Sequence, residues 1–266
     1  MKAKVYLVGA GPGDPELLTV KAVQILRSAD IVLHDALVTG EVLRIARPNA
    51  QLIDVGKRVG EKRLTQDAIN RLMVELSDCA DVIVRLKGGD PLIFGRAAEE
   101  MSALRRAGIE FEVVPGITAA VAAAAQAGIT LTDRQSAAGV VFLTAQQATG
   151  KGRTNIARYA SQDSTLVIYM PAGHYGEIRG DLIAAGLSLD TPCVVVANAS
   201  RPDQEMLWTE IAALGSIAVP PSPALIIIGQ VARCRSEALM GSTWQGVLGN
   251  VTALWQETAM KGNGES

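Results

Sequence analysis

The apolar positions of this chain fall into short β-branched runs separated by stretches with helical spacing, and the two alternate from near the first residue to about position 230. Val5–Val8, Ile31–His34, Gln51–Val55, Asp81–Leu86 and Phe111–Val114 read as strands, each closed within two residues by glycine, aspartate or proline. Between them, Glu16–Arg27 places Leu17, Leu18, Val20, Val23, Ile25 and Leu26 on one broad helical face. Pro15 sits at its first turn, and Asp14 and Thr19 are candidate caps. Glu41–Ala46 predicts a short helix, Thr65 opens one reaching about Ser77, and Gly95–Ala107 and the alanine-rich Gly116–Ala127 predict two more. Strand and helix in turn imply a parallel sheet with right-handed crossovers. The later strand-like runs are Val140–Thr144, Leu166–Tyr169, Cys193–Ala197 and Leu225–Ile228, with Met206–Ile211 as an antiparallel edge. Helices are expected over Asn155–Ala160, Gly176–Ala185 and Ala232–Met240. Polar residues interrupt the pattern at Thr132–Ala138. The expectation is therefore an α/β protein of two lobes with mostly parallel sheets and a cleft between them: 1–135, 136–240, and a loose tail, 241–266, holding one helix near Val251–Met260.

Composition narrows the class. With 48% apolar but only 4% aromatic residues in 266, the core must be built from Val, Ile, Leu and Ala, the usual material of sheets covered by helices. A formal charge of −2 leaves no general basic surface, which argues against a protein that grips nucleic acid by neutralising phosphates. Cys79, Cys193 and Cys234 are scattered and read as reduced thiols of a cytoplasmic protein. With only His34 and His174 to join them, no metal site is expected. No apolar run approaches the ~20 residues a membrane helix needs, and no signal sequence is expected, since the apolar Val5–Val8 run is a strand's length and ends at glycine.

The chemistry gathers in loops at strand ends, where open α/β sheets bind small molecules. Arg85-Leu-Lys-Gly-Gly-Asp-Pro-Leu-Ile-Phe-Gly-Arg96 runs from a strand through two glycines, which free the backbone and leave amides bare, to Pro91, which ends the strand. Gly9-Ala-Gly-Pro-Gly-Asp14 looks superficially like a dinucleotide fingerprint, but a proline sits inside the turn and the third glycine falls one place early. That argues against a nicotinamide oxidoreductase, for which Asp35 would have been the ribose partner.

Together, Val8-Gly-Ala-Gly-Pro-Gly-Asp-Pro15, His34-Asp-Ala-Leu37, Val55-Gly-Lys-Arg58, the Gly88-Gly89 loop and Pro115-Gly-Ile-Thr-Ala119 resemble the tetrapyrrole methylases, from about Val5 to Val231. The resemblance implies S-adenosyl-L-methionine as cofactor and S-adenosyl-L-homocysteine as product. It places the cofactor against Pro12, Gly88, Gly89, Asp90, Ile93, Thr118, Ala119, Met170 and Ala199. Read from the residues alone, Asp90 could equally cap the turn or the next helix, and Ile93 and Met170 could be core. The resemblance also implies methylation of a tetrapyrrole at carbon, and Asp35 with Gly56-Lys57-Arg58 favours uroporphyrinogen III, methylated twice to precorrin-2 for sirohaem, cobalamin or haem d1. Asp35 matches the family's proposed base and Lys57 its proposed proton donor. As isolated residues they would be a turn-forming acid and a solvated amine.

A substrate with eight carboxylates calls for local cations, and Arg58, Lys62, Arg63, Arg96 and Arg134 are the candidates, arginine being suited to paired bonds with carboxylate. A homodimer is typical of the proteins this chain resembles. Several positions depart from the family pattern: Gly95-Arg-Ala-Ala-Glu-Glu100 for Gly-Arg-Gly-Gly-Glu-Glu, Thr132-Asp-Arg134 for Thr-His-Arg, Thr144-Ala-Gln146 for Thr-Gly-His, Ala197-Asn-Ala-Ser200 for Glu-Asn-Gly-Thr, and His34 for tyrosine. Ala199 is tolerable only if its backbone avoids positive φ. A methyltransferase acting on a later precorrin, or a non-catalytic binder of tetrapyrrole or cofactor, are the remaining alternatives.

Overall fold

The computed structural model describes residues 3–56, 64–145 and 154–233. The first lobe contains β1 (Lys4–Gly9), α1 (Val20–Ser28), β2 (Ile31–His34), α2 (Gly40–Leu43), β3 (Gln51–Asp54), α3 (Gln66–Leu76), β4 (Val82–Lys87), α4 (Ala97–Arg106), β5 (Phe111–Val114) and α5 (Ala119–Ala127). Its five strands lie in the order β3-β2-β4-β1-β5, and every pair is parallel. Alternation along the strands fills two cores. Val5, Leu7, Leu33 and Ile83 pack under α3 and α4, while Val8, Val32, Val84 and Leu86 pack under α1 and α2.

The second lobe contains β6 (Gly139–Thr144), β7 (Ser164–Tyr169), α6 (Tyr175–Ala184), β8 (Pro192–Ala197), β9 (Glu205–Glu210), α7 (Ile211–Leu214) and β10 (Ala224–Ile228). The order β6-β7-β10-β8-β9 puts β9 at the edge, antiparallel to β8. The α/β class and the two-lobe plan hold, but parallel pairing here is confined to β6–β7. The short β8–β9 connection folds back as a hairpin, and β10 inserts antiparallel between β7 and β8. The β8–β9 return, having no helix, cannot make a parallel neighbour.

Helix α5 connects the two sheets. It follows β5 of the first, yet Ala120, Ala123, Ala124 and Ala127 pack against Val167, Val194, Val196, Leu225 and Ile227 of the second. Alanine on this face lets helix and sheet approach closely.

Some predicted helices differ. The stretch expected as Glu16–Arg27 is a 3₁₀ turn, Pro15–Leu17, and then α1, because Thr19 is extended and its hydroxyl accepts from the Ala22 amide. Asp14 and Thr19 are therefore both caps, one for each piece. Asn155–Ala160 is only a 3₁₀ turn at Ile156–Arg158. Of the helix expected at Ala232–Met240, the described part is the end of a 3₁₀ turn, Gln230–Arg233. The remainder, and the helix near Val251–Met260, lie outside the described residues.

Candidate active site

The first sheet builds its rim by direct backbone contact. The loops after β1 and β4 bond to each other, the Gly11 amide donating to the Gly89 carbonyl at 3.1 Å and the Gly89 amide to the Gly11 carbonyl at 2.7 Å. The segment after β5 fits against both: a Cβ on Gly116 would stand 2.4 Å from the Gly89 carbonyl oxygen and 2.8 Å from Gly9 Cα. No side chain fits there. Gly89 has φ +69°, which disfavours any side chain, so the chain presents bare backbone to the cleft facing Thr118 Cα, 3.8 Å from where a Cβ would stand.

Asp90 serves this rim. One carboxylate oxygen accepts from the Leu92 amide at 2.8 Å and the other from the Gly116 amide at 2.9 Å, so it both makes the turn and ties the loop after β4 to that after β5. The chain then passes through left-handed Phe94 and Arg96, at φ 52° and 56°, before entering α4.

The opposite wall comes from the second sheet. Met170 leaves β7 at φ 53° and is 44% exposed, so it is not core. Tyr169 donates to or accepts from the Thr118 hydroxyl at 2.7 Å, accepts from the Ala120 amide at 3.2 Å, and packs against Phe94 with ring centroids 5.0 Å apart. Burial raises the pKa of its phenol. After β8, Asn198 and Ser200 take positive φ, 49° and 62°, and Ala199 between them does not. The methyl that replaces the family's glycine is thus accommodated without left-handed strain.

One cleft is lined by Pro12, Asp35, Gly88, Gly89, Asp90, Ile93, Thr118, Ala119, Met170 and Ala199, together with Leu37, Phe94, Tyr169, Val196, Arg201 and Leu225. Every residue matched to the cofactor therefore lines it, as does Asp35. The substrate set is not gathered in the same way. Arg96 does not line the cleft, and its guanidinium makes two bonds to Glu99, Nε to Oε1 at 2.7 Å and Nη2 to Oε2 at 2.8 Å. Arg134 is exposed in the turn shaped by Asp133 and does not line the cleft either. Lys57, Arg58, Lys62, Arg63 and Gln146 lie outside the described residues.

Below Asp35 is a buried charge cluster that sequence reading missed. Arg85, 2% exposed on β4, donates from Nη2 to Asp35 Oδ1, from Nε to Glu100 Oε1 at 2.9 Å, and from Nη1 to the Leu86 carbonyl at 3.2 Å. Lys87 Nζ and Gln66 Nε2 donate to the same Glu100 oxygen at 2.9 and 3.2 Å. Burial alone would lower the Arg85 pKa, but Asp35 and Glu100 outweigh it and hold the guanidinium above its ordinary value. For Lys87, burial and then the neighbouring Arg85 charge prevail over the two carboxylates, and its pKa falls. The Asp35 carboxylate is thus fixed through Arg85 to Glu100 of helix α4.

The cleft suits a zwitterionic nucleoside better than a dinucleotide. Its rim is bare glycine backbone with two carboxylates, Asp35 and Asp90, and its far wall is apolar at Val196, Ala199 and Leu225. Among the described residues lining it, Arg201 is the single cation, which is a poor match for a pyrophosphate. Among the described residues there is also no group of three or more His, Cys, Asp or Glu placed to hold a metal ion.

The chain is similar to known proteins over most of its length. Residues 4–215 match the family model of the tetrapyrrole (corrin/porphyrin) methylases. The chain is 43% identical over 237 residues to the siroheme synthase of Psychrobacter sp. (strain PRwf-1), covering 88% of this chain and 49% of that protein. It is 45% identical over 238 residues to the chloroplastic S-adenosyl-L-methionine-dependent uroporphyrinogen III methyltransferase of Arabidopsis thaliana, covering 85% of this chain and 63% of that one. The chain thus spans about half the length of the siroheme synthase. Among solved structures, the uroporphyrin-III C-methyl transferase of Thermus thermophilus in complex with S-adenyl homocysteine superposes with a TM-score of 0.77 at 39% identity, over 87% of this chain and 99% of that one.

Proposed function

The chain belongs to the tetrapyrrole (corrin/porphyrin) methylase family, and we propose that it moves two methyl groups from S-adenosyl-L-methionine to carbons of uroporphyrinogen III, releasing precorrin-2 and S-adenosyl-L-homocysteine. The observation that carries this reading is the meeting of Asp35 with the residues matched to the cofactor around one cleft.

When bound, the cofactor supplies an electrophilic methyl on a sulfonium. Gly88 and Gly89 would hold its polar groups through backbone N–H and C=O. Asp90, whose oxygens each keep a lone pair beyond their amide partners, would accept from a ribose hydroxyl or the amine. Val196, Ala199 and Leu225 would cover the adenine. Electron-rich pyrrole carbons need no nucleophile from the enzyme, so the residues' work is alignment, which contributes about 7–11 kcal/mol, and proton handling. Asp35 takes the proton lost on methylation: Arg85 holds one of its oxygens and so orients the carboxylate. Lys57 is the proposed proton donor. Arg58, Lys62, Arg63, Arg96 and Arg134 are the proposed partners for the substrate's carboxylates, Arg96 sharing its charge with Glu99. The reading extends to a homodimer acting in the cytoplasm and feeding sirohaem, cobalamin or haem d1 synthesis. Family resemblance supports it, and no helix among the described residues is long and apolar enough to cross a membrane.

The test is anaerobic incubation of the chain with labelled S-adenosyl-L-methionine and uroporphyrinogen III, read by product mass. Two added methyls are expected. The Asp35→Asn variant should lose about 10²–10⁴-fold in kcat while its affinity for S-adenosyl-L-homocysteine stays within about threefold. Cofactor binding without transfer by the parent chain would leave a non-catalytic binder, and equal losses in the variant would make Asp35 a structural residue.

A further inference from the structure

Besides Tyr169, the second lobe reaches across to the loops of the first at Arg201 and its neighbour Ser200. Arg201, half-buried in the β8–β9 connection, donates from Nη2 to the Leu37 carbonyl at 2.8 Å and from Nε to the Pro12 carbonyl at 3.4 Å. Leu37 follows Asp35 by two residues, and Pro12 lines the cleft at the loop after β1. Those two loops are themselves joined, the Thr39 hydroxyl donating to the Gly13 carbonyl at 2.8 Å.

Three further features show that the side chain is built into this place rather than lying on the surface by chance. Gly13, at φ +150°, makes room for it: a Cβ there would stand 2.7 Å from Arg201 Cγ. The connection carrying Arg201 is held in an uncommon conformation, with Asn198 and Ser200 at positive φ. It is fastened by Asn198 Nδ2 donating to Asp203 Oδ2 at 2.8 Å and by the Ser200 amide donating to Gln204 Oε1 at 2.7 Å. Beside Arg201, the Ser200 hydroxyl accepts from the Asp14 amide at 3.4 Å, a second bond between the same two segments. The partners of the guanidinium are carbonyls of two separate loops, which its planar fork can reach at once and an ammonium cannot.

We infer that Arg201 is a positioning residue: it clamps the loops bearing Pro12 and Asp35 to the second lobe, and so sets the Asp35 carboxylate relative to the bound methyl donor. Arg85 fixes Asp35 from within the first sheet, and Arg201 fixes the same loop from across the cleft. The role in turnover rests on the proposed function, in which Asp35 is the base, whereas the clamp itself does not.

Two measurements on the full chain test it. In hydrogen exchange, Arg201→Ala should speed exchange of residues 35–39, including the Val38 amide bonded to the Asp35 carbonyl, by about tenfold or more, with β5 unchanged and Arg201→Lys falling between. In the methyl-transfer assay, Arg201→Ala should lower kcat by about 10–100-fold in the parent chain. In an Asp35→Asn background it should lower kcat by less than about threefold. Unchanged exchange at 35–39 would overturn the clamp, and equal losses in the two backgrounds would overturn its action through Asp35. A parent chain that transfers no methyl would sink the proposed function and the catalytic consequence together, leaving exchange to decide the clamp alone.

Discussion

At the residue scale, the site depends on charges buried where the strand pattern promises only hydrocarbon. Arg85 and Lys87 occupy alternate positions on β4, on the same face as Ile83, beneath α3 and α4. Glu100 of α4 answers both and is itself fully buried. A buried ion pair contributes little net stability, but removing one partner strands the others without solvent. Glu100→Gln should therefore cost about 3–5 kcal/mol in urea unfolding, and adding Lys87→Met should recover part of that by removing one stranded cation. No recovery would mean that Glu100 holds α4 by packing rather than by charge. Asp35, Gly89 and Asp90 were legible because their loops follow a family pattern. Arg85 was not, since it lies inside the strand-like run Asp81–Leu86, where nothing in its neighbours along the chain marks it as part of the site. The signal present was two cations sharing one face of a central strand, which forces a buried acid on the helices that cover it.

At the element scale, period and punctuation located the strands to within about two residues, and fared worse where a local cap or a chain reversal decided the outcome. The apolar face from Leu17 to Leu26 concealed the break at Thr19, whose hydroxyl starts a new helix. The antiparallel edge at β9 was expected, but the antiparallel placement of β10 was hidden because Cys193–Ala197 and Leu225–Ile228 are buried on both faces and carry no mark of direction. One tie between elements has a pH signature. Asp30, at the start of β2, accepts from the Asp81 and Val82 amides at 3.0 and 2.8 Å and pairs with Arg47. The Val82 amide, then the Asp81 amide and Arg47, hold its carboxyl below the ordinary 3.8 against the opposing effect of burial. A carboxyl depressed in the fold binds fewer protons there than in the unfolded chain, so its stabilisation is complete above the unfolded value and is lost as pH falls through the folded one. Asp30→Ala should cost about 1–2 kcal/mol at pH 7, a small figure because solvent reaches the pair, and the difference from the parent should shrink below about pH 4. A difference that persists undiminished into acid would show that the carboxylate charge is not what joins β2 to β4.

At the scale of the whole molecule, the cleft exists because two differently built sheets share one helix. α5 leaves the parallel sheet beside Gly116 and packs its alanines on the other, which brings Met170 and Ala199 opposite Gly89 and Asp90. Two lobes and a cleft could be read from the sequence. That the helix closing the first lobe is also core of the second could not, since an all-alanine face fits either. If one ligand is held by both lobes at once, hydrogen exchange of the full chain with and without S-adenosyl-L-homocysteine will show it. Exchange should slow in residues 9–13, 88–95, 116–120 and 196–201 together, with α3 unaffected. Protection confined to one lobe, or none at saturating ligand, would contradict it.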